Sequence, residues 1–232
     1  SASAEEVAWI QTSYLIAEVI GIPLSGLLNR ALSMRRLFVY SAALRSGMTP
    51  DSKVDDSPIT EGDYRPKNYS DRYRGKITLK QAFAQSSNVV AVRLYNQLGY
   101  SAVARAAKDL GVESPLTRDA SLALGSSGMT LIELTSAYAG VAGNKWPVEP
   151  RAFVAEEEGW FGWLLSAQRS FSNAHHKALL ELLGATVNQG TGRAARLAIP
   201  AYGKTGTSQD YRDALFIGFA GDLVVGVWIG ND

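Results

Sequence analysis

Apolar residues recur at helical spacing through the middle of the chain, and hydroxyl residues that can cap helix ends precede several of these segments. Leu37 to Arg45 predicts a buried helix, closed by Gly47 and Pro50. Thr78, Ser101 and Thr130 are each followed by an apolar segment, which is typical of N-caps. We expect the further helices at 79–86, 88–98 (ended by Gly99), 102–110 (ended by Gly111), 131–142 (ended by Gly143) and 174–187.

Near the chain ends the pattern changes to short runs of β-forming residues. Residues 201–208, 214–220 and 223–229 predict three strands, and Gly221-Asp222 predicts that the last two form an antiparallel hairpin. Residues 7–21 predict two short strands, although a helix fits so short an apolar run equally well. We therefore expect an α/β (α+β) fold, in which one antiparallel sheet is built from both chain ends and flanked by helices.

The expected organisation is a single domain over residues 1–232 with two lobes. The sheet lobe comprises about 1–36 and 144–232, and a mainly helical lobe of about 37–143 is inserted into it. Residues 49–74 are rich in Asp, Ser, Pro and Tyr and predict a long surface excursion. No apolar run approaches the roughly 18 residues of a membrane span, and no signal peptide is visible. We interpret the chain as a domain of a longer protein whose anchor lies elsewhere.

The composition of the chain argues against several kinds of binding and catalysis. Twenty-three basic and 22 acidic residues give a formal charge of +1, which provides no basic excess for nucleic acid. Without cysteine, thiolate catalysis and thiolate metal sites are excluded. The two histidines, His175 and His176, are adjacent. A zinc site requires three or four protein ligands, so we interpret them as an exposed pair on a helix rather than as metal ligands. We expect no metal and no cofactor, and a base other than histidine in any acyl-transfer reaction.

Three short motifs could carry chemistry, and each is weak alone. They are Lys204-Thr205-Gly206-Thr207 on a predicted strand, Ser86-Ser87-Asn88 between two helices, and Gly190-Thr191-Gly192 after a helix. Ser86 could simply cap a helix, and Lys204 could be an exposed strand lysine.

Together, the strand motif and the serine motif suggest a peptide site. Alternation along a strand puts Lys204 and Gly206 on one face and the two threonines on the other. Gly206 lets a ligand approach the backbone, and an edge strand can pair with an extended peptide. A lysine near hydroxyls and an amide can hold a carboxylate and polarise a serine proton without histidine.

Over most of its length the chain resembles the transpeptidase domain of class A (bifunctional) penicillin-binding proteins, in the serine β-lactamase and D,D-peptidase superfamily. Many segments match in order and spacing. They are 29–36 (NRALSMRR), 38–44 (FVYSAAL), 86–94 (SSNVVAVRL), 121–125 (SLALG), 130–139 (TLIELTSAYA), 148–153 (VEPRAF), 188–193 (NQGTGR) and 203–232.

The resemblance implies a D-alanyl-D-alanine transpeptidase that cross-links peptidoglycan stem peptides through a serine acyl-enzyme and is a target of β-lactams. Ser86 would relay a proton, Asn88 would bind the donor peptide's amide and Lys204 would supply positive charge. Thr205 and Thr207 would contact the terminal carboxylate, and the Thr207 amide would be one oxyanion donor. The resemblance also implies an extracytoplasmic location and, in the parent protein, an upstream glycosyltransferase domain and a membrane anchor.

One departure from the family pattern affects the catalytic step. The family's nucleophile motif, Ser-x-x-Lys, would lie between Arg36 and Leu37, and no Ser-x-x-Lys occurs anywhere in the chain. Ser33 gives only Ser-x-x-Arg, and an arginine stays protonated and cannot accept the serine proton. Ser41 lies among apolar residues and predicts a small polar residue inside a packed helix.

Several interpretations therefore stay open. The parent sequence carries a serine–lysine segment that this sequence lacks, or the chain is a relative without that nucleophile; a bonded Arg36–Leu37 junction requires Cα atoms about 3.8 Å apart. A catalytically silent module that binds peptidoglycan or β-lactams is the alternative function. A β-lactamase or D,D-carboxypeptidase is a further one, and it would need a carboxylate to activate water. Glu149 and Glu156 to Glu158 are available for this, but they match no pattern that assigns the role.

Overall fold

The computed structural model of the chain describes residues 34–59, 65–124, 128–152, 168–207 and 213–230. In this part of the chain the α-helices are α1 (Arg36–Arg45), α2 (Leu79–Ala84), α3 (Asn88–Leu98), α4 (Tyr100–Asp109), α5 (Leu131–Ala142) and α6 (Asn173–Gln189). Short 3-10 turns lie at Tyr69–Asp71, Ala120–Leu124 and Arg193–Ala195.

The strands form two antiparallel sheets. A small ribbon pairs β1 (Lys53–Asp55) with β2 (Lys76–Thr78). The main sheet has the order β3-β4-β5, with β3 (Tyr202–Thr207), β4 (Asp213–Ala220) and β5 (Leu223–Gly230). The β4–β5 pair is the predicted hairpin, with Ala220 opposite Leu223 across the two-residue turn. Among the described strands, β3 and β5 are the two edges of this sheet.

Helix α1 is the centre of the helical part. Its residues from Arg36 to Leu44 are all buried, because α3, α4 and α6 pack around it. The helix passes through the Arg36–Leu37 junction without a break, since Leu37 N donates to Met34 O (3.3 Å) and Phe38 N donates to Arg35 O (2.9 Å). Arg36 therefore opens the central helix.

One face of the main sheet is covered by helices. Helix α6 packs on β3, and α5 packs on β4 and β5. At Gly226 a Cβ atom would lie 2.2 Å from Thr135 Oγ1, so glycine allows this close contact between β5 and α5. The outward-facing residues of β5 are exposed and apolar: Leu223, Val225, Val227 and Ile229. The structure has helices on an antiparallel sheet, as the sequence predicts.

Most predicted helix boundaries are confirmed. Thr78 and Thr130 form capping boxes with Gln81 and Glu133, in which each side chain bonds the other residue's backbone N–H. The prediction that Ser101 caps α4 is wrong. Gly99, with φ of 80°, ends α3 and also precedes α4, so Ser101 lies inside the helix.

Some predictions fall outside the described residues. These include the two strands within 7–21, Ser33, and Glu156 to Glu158. The sheet built from both chain ends and the two-lobe boundaries therefore stay predictions. Among the helices that the structure describes, none is long and apolar enough to cross a membrane.

Candidate functional site

The serine motif and the strand motif meet in space. Lys204, on β3, donates a hydrogen bond from Nζ to Oγ of Ser86, which lies 118 positions earlier between α2 and α3. The same Nζ donates to the carbonyl oxygen of Thr205 (3.0 Å) and lies 5.7 Å from the centre of the Phe83 ring. The interpretation of Lys204 as an exposed strand lysine is therefore wrong, because its side chain is fully buried.

Ser86 stands at the corner between α2 and α3 in a left-handed backbone conformation, with φ of 55°. A non-glycine residue adopts this conformation at a cost, and such residues are common at functional sites. The next residue, Ser87, is the N-cap of α3, since its Oγ accepts from Val90 N (3.0 Å). The capping role considered for Ser86 thus belongs to its neighbour, and the half-buried Ser86 hydroxyl is turned toward Lys204.

Two buried polar residues of the predicted surface excursion hold this corner in place. Asp56 accepts hydrogen bonds from Ser87 Oγ (2.5 Å), Asn68 Nδ2 (2.7 Å) and Arg74 N (3.1 Å). Asn68 Oδ1 in turn accepts from the backbone N–H of Asn88 (2.9 Å) and Val89 (3.2 Å). Sequence reasoning missed this pair.

Asn88 begins α3 and is held on both sides of its amide. Its Oδ1 accepts from Arg36 Nη2, and its Nδ2 donates to the carbonyl oxygen of Lys67. Each atom keeps one further bonding position, because an amide oxygen can accept twice and an amide nitrogen can donate twice. Asn88 can therefore bind a ligand without losing these two partners.

Arg36 occupies the space beside this asparagine. It is buried, and burial lowers its pKa to about 10, which leaves it charged at neutral pH. Its Nε and Nη1 have no hydrogen-bond partner among the described residues. The positive charge of Arg36 therefore stands next to the Ser86–Asn88 corner, and no carboxylate of the described residues is bonded to it.

Lys204 is unusual for a lysine. Burial, and then the positive charge of Arg36, hold its pKa well below the ordinary value of 10.5. Within the described ranges no Asp or Glu lies within ion-pair distance of its Nζ. A buried amine without a counter-ion favours the neutral form, and a neutral amine has a lone pair that can accept a proton.

The strand β3 continues the site away from the corner. Burial alternates along it, with Lys204 and Gly206 buried, Thr205 half-buried and Thr207 exposed. The Thr205 hydroxyl lies 2.5 Å from the hydroxyl of Thr191, so both threonines share one hydrogen bond. The third motif, Gly190-Thr191-Gly192, thus joins the first two.

Close packing fixes this third motif. Thr191 N donates to Ala84 O at the end of α2 (3.0 Å), and a Cβ at Gly190 would lie 2.1 Å from that same oxygen. Only glycine fits at position 190 with the backbone in this place.

The two histidines lie on α6, as predicted, but both are half-buried rather than exposed. His175 Nε2 is 3.3 Å from the hydroxyl of the buried Ser41, and its ring stacks on Phe171 with centroids 4.8 Å apart. His176 Nε2 bonds the carbonyl oxygen of Val141 (2.7 Å). In the described part of the chain no cluster of three or more His, Asp or Glu could hold a metal ion.

The structure therefore brings Ser86, Asn88, Lys204 and Thr205 together, with Gly206 and Thr207 following along the same strand. A serine hydroxyl bonded to a buried amine can serve in proton transfer, and a strand edge with hydroxyls can bind the end of an extended peptide.

The chain is similar to proteins of one known family. Residues 33–222 match the family model described as the penicillin binding protein transpeptidase domain. The chain is 31% identical over 234 residues to penicillin-binding protein 1A of Rickettsia typhi, covering 86% of this chain and 30% of that protein. It is 34% identical over 210 residues to penicillin-binding protein 4 of Bacillus subtilis, covering 86% and 34%. The chain thus spans about a third of the length of the curated relatives it matches.

Solved structures show the same fold. Penicillin-binding protein 1A from Haemophilus influenzae superposes with a TM-score of 0.73 at 23% identity, covering 88% of this chain and 38% of that one. The PonA1 protein from Mycobacterium tuberculosis in complex with penicillin V superposes with a TM-score of 0.68 at 23% identity, covering 88% and 60%.

Proposed function

The chain belongs to the penicillin-binding protein transpeptidase domain family, and we propose that it binds the D-alanyl-D-alanine end of peptidoglycan stem peptides and transfers their acyl group to an amine. β-Lactams would enter the same site and acylate it. The observation that carries this proposal is the hydrogen bond between the buried Lys204 and the half-buried Ser86, beside Asn88 and the threonines of β3.

Each part of the site suits one part of the donor peptide. Among the described strands β3 is an edge of the main sheet, and an edge strand offers backbone groups to an extended chain. Thr205 and Thr207 would bind the terminal carboxylate, and the Thr207 N–H would stabilise the oxyanion. Asn88 would use its remaining amide positions on the peptide backbone, while Arg36 supplies positive potential for an anionic ligand.

In the parent protein, the domain would act outside the cytoplasm on the cell wall. Its length relative to the curated relatives leaves room for further parts, and we propose an upstream glycosyltransferase domain and a membrane anchor among them. The acyl acceptor would be an amine of a second stem peptide.

The binding part of the proposal is tested by calorimetry. A pentapeptide that ends in D-Ala-D-Ala should bind, whereas the same peptide ending in L-Ala-L-Ala should not. Thr205→Val removes the hydroxyl bonded to Thr191 while keeping the side-chain shape, and it should weaken binding at least about tenfold, since a hydrogen bond to a charged group is worth about 1.5–3 kcal/mol. Equal binding of both peptides would contradict the proposal.

The acyl-transfer part is tested with a fluorescent penicillin. Covalent label that survives denaturation supports acylation. Intact mass before and after incubation gives the mass that the label adds.

A second candidate function is a catalytically silent binding module with the same site. The absence of any Ser-x-x-Lys motif in the sequence favours it. This module would bind the peptide or penicillin reversibly and never form a stable adduct.

A further inference from the structure

The chain has no Ser-x-x-Lys motif, but it does hold a serine and a lysine in direct contact. We propose that Ser86 is the acyl-accepting nucleophile of this domain and that Lys204 is its general base. This inference rests on the proposed acyl-transfer function, and it assigns to Ser86 more than the proton relay expected from the family pattern.

The geometry meets the first requirement of such a pair. A nucleophile must lie within hydrogen-bond reach of its base, and Ser86 Oγ is bonded to Lys204 Nζ. Ser86 is half-buried, whereas Lys204 is fully buried and shielded from water.

The surroundings meet the second requirement, a neutral amine. With the neutral form, Nζ keeps its N–H bond to the Thr205 carbonyl oxygen, and its lone pair accepts the Ser86 hydroxyl proton. No carboxylate in the described part of the chain forms an ion pair with Lys204, and the positive charge of Arg36 disfavours a second positive charge beside it. The same charge of Arg36 stabilises the negative charge that develops when Ser86 attacks a carbonyl.

The backbone meets the third requirement, a fixed direction of attack. Ser86 is held at φ of 55° between α2 and α3, and Ser86 N donates to Phe83 O (3.0 Å). Asp56 and Asn68 fix the next two residues, so the Ser86 hydroxyl is presented from a rigid corner.

Ser86 Oγ bonds to the carbonyl carbon of the D-alanyl-D-alanine amide while its proton moves to Lys204 Nζ. The carbon–nitrogen bond then breaks, and Nζ returns the proton to the leaving amine, which releases D-alanine and leaves an ester on Ser86. An acceptor amine attacks this ester, gives its proton to Nζ, and the proton returns to Ser86 Oγ as the ester bond breaks. With a β-lactam, the leaving nitrogen stays attached to the adduct.

The test uses the 232-residue protein and benzylpenicillin, with intact mass, peptide mapping of the adduct, and calorimetry on each variant. We expect one adduct on Ser86 in the wild type and in Ser33→Ala, the matched serine control. Ser86→Ala should form no adduct but still bind reversibly. Lys204→Met should acylate about 10²–10⁴-fold more slowly, the usual contribution of a general base.

The pH profile separates a base from a merely structural lysine. The acylation rate of the wild type should rise with pH and level off well below pH 10.5, because the active form is the neutral amine. The residual rate of Lys204→Met should lack that rise.

The remaining outcomes separate the two proposals. An adduct on a different residue would overturn the role of Ser86 while leaving acyl transfer in place. Reversible binding without any adduct would overturn it in favour of the silent module. Neither adduct nor binding would overturn both this inference and the proposed function.

Discussion

Ser86 lies hydrogen-bonded to Lys204 while its own backbone is held in the left-handed region. The contact links a corner between two helices to an edge strand, and it requires Ser86 to keep a conformation that costs a non-glycine residue about 1 kcal/mol or more. The structure thus keeps a strained residue at the point where its proposed chemistry occurs.

Because of this strain, we expect glycine to be more stable than alanine at Ser86 but less stable than alanine at Ser136. Ser86→Gly should be more stable than Ser86→Ala by about 1 kcal/mol, because glycine adopts positive φ freely and alanine does not. At Ser136, inside α5, glycine should instead be less stable than alanine by a similar amount. Urea unfolding of the four variants measures both differences, and the same sign at both positions would contradict the argument.

Removal of the buried Asp56 carboxylate should destabilise the protein. Asp56→Ala leaves Ser87 Oγ, Asn68 Nδ2 and Arg74 N without their shared acceptor, and we expect a loss of about 2–4 kcal/mol in the free energy of unfolding. Penicillin acylation should also slow, since the corner that carries Ser86 loses its support. Chemical denaturation and labelling rates measure the two effects.

The exposed Asp51 is the control for Asp56. It lies 3.6 Å from Lys80, and the Asp51 side chain is 82% exposed, so Asp51→Ala should change stability by less than about 0.5 kcal/mol. A similar loss in both variants would show that Asp56 contributes only as a charge.

The sequence predicts those parts of the fold that local signals determine. Thr78 and Thr130 each carry an N-cap hydroxyl with Gln or Glu three residues on, and the predicted helix starts are confirmed. Gly221-Asp222 predicts the hairpin because only a tight turn fits between two β-forming runs. The prediction for Ser101 is wrong because a serine at the N-cap and a serine at the second position of a helix look alike in sequence, whereas here the N-cap is Gly99.

The buried polar residues that hold the Ser86 corner in place could not be predicted from such local signals. Asp56 and Asn68 lie in a polar, aperiodic segment that indicates an exposed loop, and their burial depends on a contact with α3. The burial of Lys204 likewise depends on residues far away in sequence, so local sequence signals did not predict it.

A side chain at position 190 should destabilise the protein, because packing leaves no room for one there. Gly190→Ala puts a methyl group 2.1 Å from the Ala84 carbonyl oxygen, so the loop must shift, at a cost of about 1–3 kcal/mol. Thr191 would move away from Thr205, and binding of a D-Ala-D-Ala peptide should weaken.

The matched variant for Gly190 is Gly143→Ala. Its added Cβ would lie 3.6 Å from the nearest atom, Ala139 O, and its φ of −82° suits alanine. Stability and peptide binding should both stay near the wild-type values, as measured by urea unfolding and calorimetry. If both glycine variants behave alike, the close approach at Gly190 does not position Thr191.

His175 makes stability depend on pH. Burial first, and then the charges of Arg45 and His176, lower its pKa from 6.5 to about 4. The folded state therefore binds this proton less readily than the unfolded state. The contribution of His175 to the free energy of unfolding is fully present above pH 6.5 and is lost as the pH falls from 6.5 toward 4. The full shift corresponds to about 3 kcal/mol, but solvent reaches part of the half-buried ring, and we expect about 1–2 kcal/mol.

The groups that face His175 guide the choice of variant. Ser41 bonds its Nε2, Phe171 stacks on its ring, and Arg45 and His176 add positive charge. His175→Gln keeps a polar side chain beside Ser41 but cannot titrate, so its stability should fall less between pH 7 and pH 4 than that of the wild type. Lys177→Gln, an exposed change on the same helix, should follow the wild-type slope. Urea unfolding at several pH values gives the three slopes, and a slope for His175→Gln as steep as the wild type would assign the acid sensitivity to carboxylates instead.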